Sequence, residues 1–238
     1  MKIEGRNAVY EILQSENSVD KILASKTGKE PSFNRVISLA KDKKVKIQFV
    51  SNEILNHESV TGNHQGIIAY TSDFKYSTID EILNSKTDKG NFIVILDGVE
   101  DPHNFGSIIR VCECLGVDGI IISKNRACPV NETVIRTSAG AIAHTKIAKV
   151  TNINQTIEDL KEAGIWVYGI ELGGEKLANA DFTGNIALVL GSEGNGIAKQ
   201  TLKNCDKVYT IEMAGKVNSL NVSVSTGIAV YEAFKQRI

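Results

Sequence analysis

Residues 92–110 read Phe92-Ile93-Val94-Ile95-Leu96-Asp97-Gly98-Val99-Glu100-Asp101-Pro102-His103-Asn104-Phe105-Gly106-Ser107-Ile108-Ile109-Arg110. The first five form an uninterrupted apolar run, the pattern of a strand buried on both faces of a parallel sheet. Phe105 to Leu115 then reads as a helix that buries Ile108, Cys112 and Leu115 and turns Arg110 roughly away from them. Asn104, at the head of that helix, is of a residue type that caps helices by accepting from free backbone amides. Further strands are expected at Ile120–Ile122, Trp166–Ile170, Ala187–Leu190 and Val208–Ile211, with helices near Glu132–Ala143, Ile157–Ala163 and Lys199–Lys203. A last helix starts near Leu220 and carries Val224, Ile228, Tyr231 and Phe234 at a period of 3.6. Alternation of this kind predicts an α/β domain with a mainly parallel sheet. In such sheets ligands bind outside the carboxyl ends of the strands.

Two more strand ends lead into unusual polar loops. Leu190-Gly191-Ser192-Glu193-Gly194-Asn195-Gly196 spaces its glycines G-x-x-G-x-G. That is neither the G-x-G-x-x-G dinucleotide fingerprint nor a Walker loop, and Ser192 is not set in a G-x-S-x-G elbow. Ile211-Glu212-Met213-Ala214-Gly215-Lys216-Val217-Asn218-Ser219-Leu220-Asn221-Val222-Ser223 crowds polar side chains at a helix start. Singly, a surface arginine, a tight turn and a capping cluster would account for the three loops.

Upstream of Phe92 the pattern is that of a smaller α/β unit. Gly5–Gln14, Asn34–Lys43 and a short stretch at Glu53 read as helices; Val19–Leu23, Val45–Val50 and Gly66–Tyr70 read as strands. Thr71–Asn91 turns to Ser, Thr, Asp and Lys with one short amphipathic piece, the composition of a linker. Domains are therefore expected at 1–72 and 91–238, joined by 73–90. The chain of 238 residues has a formal net charge of −1, which argues against a protein that coats nucleic acid indiscriminately. Charge is uneven, however: residues 1–72 carry ten Lys/Arg against eight Asp/Glu, and Lys41, Lys43, Lys44 and Lys46 cluster. Cys112, Cys114, Cys128 and Cys205 include no C-x-x-C pair, and the four histidines lack metal-ligand spacing, so no metal is expected. With no signal peptide and no membrane-length apolar run, a cytoplasmic protein is expected.

Taken together and in order, the three loops resemble the motifs of the SpoU (TrmH) family of RNA ribose 2′-O-methyltransferases: N-x-G-x-x-x-R, then L-G-x-E-G-x-G, then S-L-N-V-S. The opening Gly5-Arg6-Asn7-Ala8-Val9 and the segment His64-Gln65-Gly66-Ile67 resemble the L30e-like RNA-binding domain of the RlmB subgroup, which methylates a guanosine in large-subunit ribosomal RNA. The resemblance implies a SPOUT fold, an α/β trefoil knot that periodicity alone would not suggest. It also implies S-adenosylmethionine as methyl donor and a homodimer with the site near the subunit interface. Asn104, Arg110, Glu193, Ser219 and Asn221 match its catalytic or near-catalytic positions. Leu190, Gly191, Glu193, Gly196, Ile211, Met213, Ser219 and Leu220 match the donor site. One departure is visible: Glu212 stands where the family usually has proline.

The function expected is thus 2′-O-methylation of a guanosine ribose in large-subunit (23S) ribosomal RNA. A guanidinium is a poor general base, so Arg110 is expected to clamp an oxyanion or phosphate and lower the hydroxyl pKa. Transfer RNA as substrate, a non-catalytic RNA-binding role in ribosome assembly, and a nucleotide-binding oxidoreductase are the rival readings. The last is disfavoured by the missing dinucleotide fingerprint.

Overall fold

The computed structural model describes residues 1–14, 19–71, 74–85, 87–216 and 219–238. They divide into two compact units, Met1–Lys75 with Val130–His144, and Tyr76–Pro129 with Thr145–Ile238.

The first unit runs β1 (Lys2–Glu4), α1 (Arg6–Gln14), β2 (Val19–Ser25), α2 (Pro31–Asp42), β3 (Lys46–Val50), α3 (Asn52–Glu58) and β4 (Ile67–Thr71). Its sheet is ordered β1-β4-β2-β3, with β2 and β3 parallel and the other pairs antiparallel. Val9, Ile12 and Leu13 of α1 and Phe33, Val36, Ile37 and Ala40 of α2 supply its apolar faces at helical spacing. Two segments that carry the family resemblance meet here. Arg6 N–H donates to Gln65 Oε1 at 3.1 Å, and Arg6 Nε donates to Gln65 O at 2.9 Å.

The second unit begins with α4 (Ile79–Leu83), β5 (Phe92–Asp97), α5 (Pro102–Cys114) and β6 (Gly119–Ser123). The chain then contributes α6 (Glu132–Thr137) and a 3₁₀ turn at Ala141–Ala143 to the first unit. It returns as β7 (Ile147–Val150), α7 (Ile153–Glu162), β8 (Trp166–Lys176), β9 (Ile186–Gly191), α8 (Lys199–Asn204), β10 (Lys207–Thr210) and α9 (Val222–Lys235). All six strands are parallel in the order β10-β8-β9-β5-β6-β7. Phe92–Leu96 is fully covered, as expected of a central strand; each buried aliphatic side chain there contributes roughly 1.5–3 kcal/mol.

Several expectations need correction. The helix expected over Glu132–Ala143 stops at Thr137, because Ala139 and Gly140 take φ of 52° and 97°, outside the helical region. Strands β1 and β7 were not anticipated, and β8 continues past Ile170 to Lys176. The stretch expected as a linker is packed: Ile82 is 0% exposed in the second unit's core, and Ser77 N–H donates to Ile147 O. The units thus differ from the expected 1–72, 73–90 and 91–238 at residues 76–90 and again at 130–144. Ser72 and Asp73, where the first boundary was expected, and Val217 and Asn218 of the third motif lie outside the described residues.

Candidate active site

Three segments far apart in the chain converge at the carboxyl end of the parallel sheet. The first leaves β5, turns at Gly98 and enters α5. Asp101, and not Asn104, caps that helix: its carboxylate accepts from Asn104 N–H at 2.8 Å, with Pro102 in the first turn. Asn104 is thereby freed for other partners. The second segment is the loop after β9, which closes on itself through Gly196 N–H to Ser192 O at 2.9 Å. A side chain at Gly191 would place Cβ 1.9 Å from the Gly196 carbonyl carbon, so only glycine permits this closure. Asp97 Oδ2 accepts from Ala198 N–H at 3.0 Å and ties the first segment to the second.

The third segment enters α9 at Asn221. Its Oδ1 caps the helix, accepting from Ser223 N–H at 2.9 Å and Ser223 Oγ at 2.6 Å. Its Nδ2 is left to donate outward, to Asn104 Oδ1 at 2.9 Å and to Glu193 Oε1. Asn104 Nδ2 donates to the same Glu193 oxygen at 3.0 Å. One carboxylate and two amides, one from each segment, therefore lock together. Bonds to a carboxylate are the stronger kind.

Glu193 also lines a cavity of about 520 Å³. Of the residues expected at the donor site, Leu190, Gly191, Gly196, Ile211, Met213, Ser219 and Leu220 line it as well. Leu190, Ile211 and Leu220 give it apolar walls; Gly191 and Gly196 expose main chain. Arg110 is not brought to the cavity. It lies on the exposed side of α5, and among the described residues it has no hydrogen-bond or ion-pair partner. Glu212, in the family's proline position, pairs with Lys176 at 2.7 Å on the surface. Ile170, Glu171 and Leu172 of β8 line the cavity too and were missed. The paired glycines Gly173-Gly174 inside a strand pattern are the available signal, since they mark a bulge.

Residues 91–231 match the SpoU rRNA Methylase family, and residues 2–77 match a domain described as RNA 2′-O ribose methyltransferase substrate binding. YacO of Bacillus subtilis (strain 168), a candidate TrmH-family tRNA/rRNA methyltransferase, is 40% identical over 236 residues, 98% of this chain and 94% of YacO. The SpoU methyltransferase AviRb from Streptomyces viridochromogenes, solved with AdoMet, matches at a TM-score of 0.86 and 22% identity, over 100% of this chain and 90% of AviRb. A TrmH/SpoU tRNA modifying enzyme from A. aeolicus is 31% identical with a TM-score of 0.57, over 66% of this chain and 79% of its own. The architecture is that of a SPOUT (trefoil-knot) methyltransferase domain with an amino-terminal substrate-binding domain.

Proposed function

The chain belongs to the SpoU rRNA methylase family of RNA methyltransferases, and from that premise we propose that it methylates the ribose 2′-oxygen of a guanosine in large-subunit ribosomal RNA, using S-adenosylmethionine. The observation that carries this reading is the junction of Asn104, Glu193 and Asn221 beside a cavity walled by Leu190, Ile211 and Leu220. Its volume of about 520 Å³ is within the range of cofactor pockets, and its mix of aliphatic walls and glycines suits an adenosyl group.

When bound, the donor supplies a methyl carbon on a sulfonium, open to in-line displacement by a ribose oxygen. The chain must hold the two reactants in line and ease loss of the hydroxyl proton. Leu190, Ile211 and Leu220 pack the donor, and Gly191 and Gly196, with no side chain, let it lie close against the loop. Asn104, Glu193 and Asn221 keep the loops in register, and Ser219 adds a hydroxyl to the wall. Arg110, exposed and unpaired among the described residues, is free to clamp the RNA phosphate or the developing oxyanion with its guanidinium donors.

The substrate reading rests on the first unit. Its Gly5–Val9 and His64–Ile67 segments resemble those of the ribosomal-RNA subgroup, and Lys41, Lys43, Lys44 and Lys46 are all exposed. Such a unit suits a folded RNA recognised by shape and phosphate. The enzyme acts as a cytoplasmic homodimer in this reading. Support for the dimer is an apolar stripe on α9, where Val224, Ile228 and Tyr231 are 49%, 39% and 53% exposed.

The test incubates purified protein and methyl-labelled donor with protein-free ribosomal RNA or with bulk transfer RNA, then digests the RNA to nucleosides. Label in 2′-O-methylguanosine from ribosomal RNA is expected. Label confined to transfer RNA would move the substrate, and label on a base would remove the reaction.

A further inference from the structure

Strand β8 breaks its pairing where it passes the cavity. Val208 of β10 pairs with Gly169, yet the next residue, Tyr209, pairs with Glu175, so Ile170–Gly174 leave the ladder with β10, while Ile170 stays paired with Leu190 of β9. Bulges re-aim side chains and gather beside ligand sites. This one is pinned at both ends: Thr210 Oγ1 donates to Glu171 O at 2.7 Å and accepts from Gly174 N–H at 2.8 Å. Gly174 is pressed so close to β10 that a Cβ would lie 2.3 Å from Val208 O. The result is a carboxylate, Glu171, in the cavity wall.

Each oxygen of that carboxylate makes one bond to main chain. Oε2 accepts from Ile197 N–H and Oε1 from Leu172 N–H, both at 2.9 Å. The approach to the donor loop is tight, since a Cβ on Gly196 would come within 2.2 Å of Oε2. A carboxylate has about four acceptor directions, so both oxygens retain capacity. The other carboxylate in the wall, Glu193, is already engaged by two asparagine amides. Two neighbouring acceptor oxygens, fixed by main chain and facing a nucleoside-sized space, match a vicinal diol whose hydroxyls both donate. Acidic side chains take ribose hydroxyls in the same manner in dinucleotide sites.

We propose that Glu171 binds the ribose diol of the methyl donor and so selects a ribonucleoside over its deoxy forms. This rests on the donor-site reading above. The competing account is that Glu171 only braces the loop through Ile197.

The two separate by titrating the full-length protein calorimetrically with S-adenosylhomocysteine and with its 2′-deoxy and 3′-deoxy forms. Wild type should bind each deoxy ligand about tenfold more weakly, the scale of one lost bond to a charged group. Glu171→Gln keeps an acceptor for Ile197 N–H; it should bind S-adenosylhomocysteine about tenfold more weakly and discriminate less than about twofold between the ligands. Glu171→Ala should lose the discrimination in the same way, whatever its effect on overall affinity. Equal binding of all ligands by wild type overturns the proposal, as does full discrimination retained by Glu171→Gln. Failure of wild type to bind S-adenosylhomocysteine at all overturns the donor-site reading first.

Discussion

Arg110 is the one expected catalytic residue that the structure leaves outside both the junction of motifs and the cavity beside it. It sits six residues after Asn104 on the exposed side of α5, unpaired among the described residues. A solvated guanidinium contributes little to folding, which makes its removal a clean experiment. Arg110→Ala should leave donor affinity and melting temperature unchanged while single-turnover transfer falls about 10²–10³-fold, the effect of deleting one oxyanion donor. A wild-type rate in the purified variant removes Arg110 from the mechanism. Glu58 in the first unit offers a test by pH. Lys2 Nζ donates to its carboxylate at 2.8 Å and Tyr70 Oη at 2.5 Å. The Lys2 bond first, and the Tyr70 bond second, hold Glu58 down to about 2, while burial and then Glu58 itself push Tyr70 up to about 12. A depressed carboxylate stabilises fully above its unfolded value near 4.5 and loses that contribution as pH falls toward 2. Glu58→Gln should therefore flatten the fall in melting temperature between those two pH values. An unchanged slope contradicts the assignment.

Asn221 shows how one element serves both fold and site. Its carbonyl oxygen caps α9, and its amide reaches Asn104 and Glu193. Loss of the cap in Asn221→Ala should cost about 1 kcal/mol. Asn221→Asp keeps an acceptor for the cap and adds a charge favoured at a helix start, but it sets two carboxylates against each other. Its melting temperature should stay at or above that of Asn221→Ala, while donor affinity measured by calorimetry falls below it. Equal donor affinity in the two variants would mean that capping alone matters. Elements of this kind were legible in the sequence: apolar runs gave the central strands, and Asn221 stood at a helix start. Strands β1 and β7 were not, because each is a short edge strand, and Ile147-Ala148-Lys149-Val150 shows no alternation. The Glu171 bulge escaped because its cause is a pairing shift with β10, a partner distant in sequence. Asn104 was legible as important but not as a partner of Glu193; a cap looked sufficient until Asp101 filled that role.

At the scale of the molecule, the first unit is discontinuous. Lys2 N–H donates to Glu132 Oε1 at 2.7 Å, His144 Nε2 lies 3.3 Å from Glu11 Oε2, and Val134, Ile135 and Ile142 are buried. Composition could not reveal this, since the segment lies amid the second unit's sequence. A chain beginning at Tyr76 should still bind S-adenosylmethionine and bind RNA weakly, yet be cut by protease within residues 130–144, which the full chain protects. Equal protection, mapped by mass spectrometry, contradicts the assignment of that segment, and undiminished RNA affinity places recognition in the second unit. The central claim, ribose methylation of large-subunit ribosomal RNA, is tested most directly in cells. Ribosomal RNA from a strain lacking the gene is mapped for resistance to alkaline cleavage, which a 2′-O-methyl confers by blocking the attacking oxygen. One guanosine of the large-subunit RNA should lose its resistance, regaining it with the wild-type gene and not with Arg110→Ala. An unchanged map of that RNA would contradict the account.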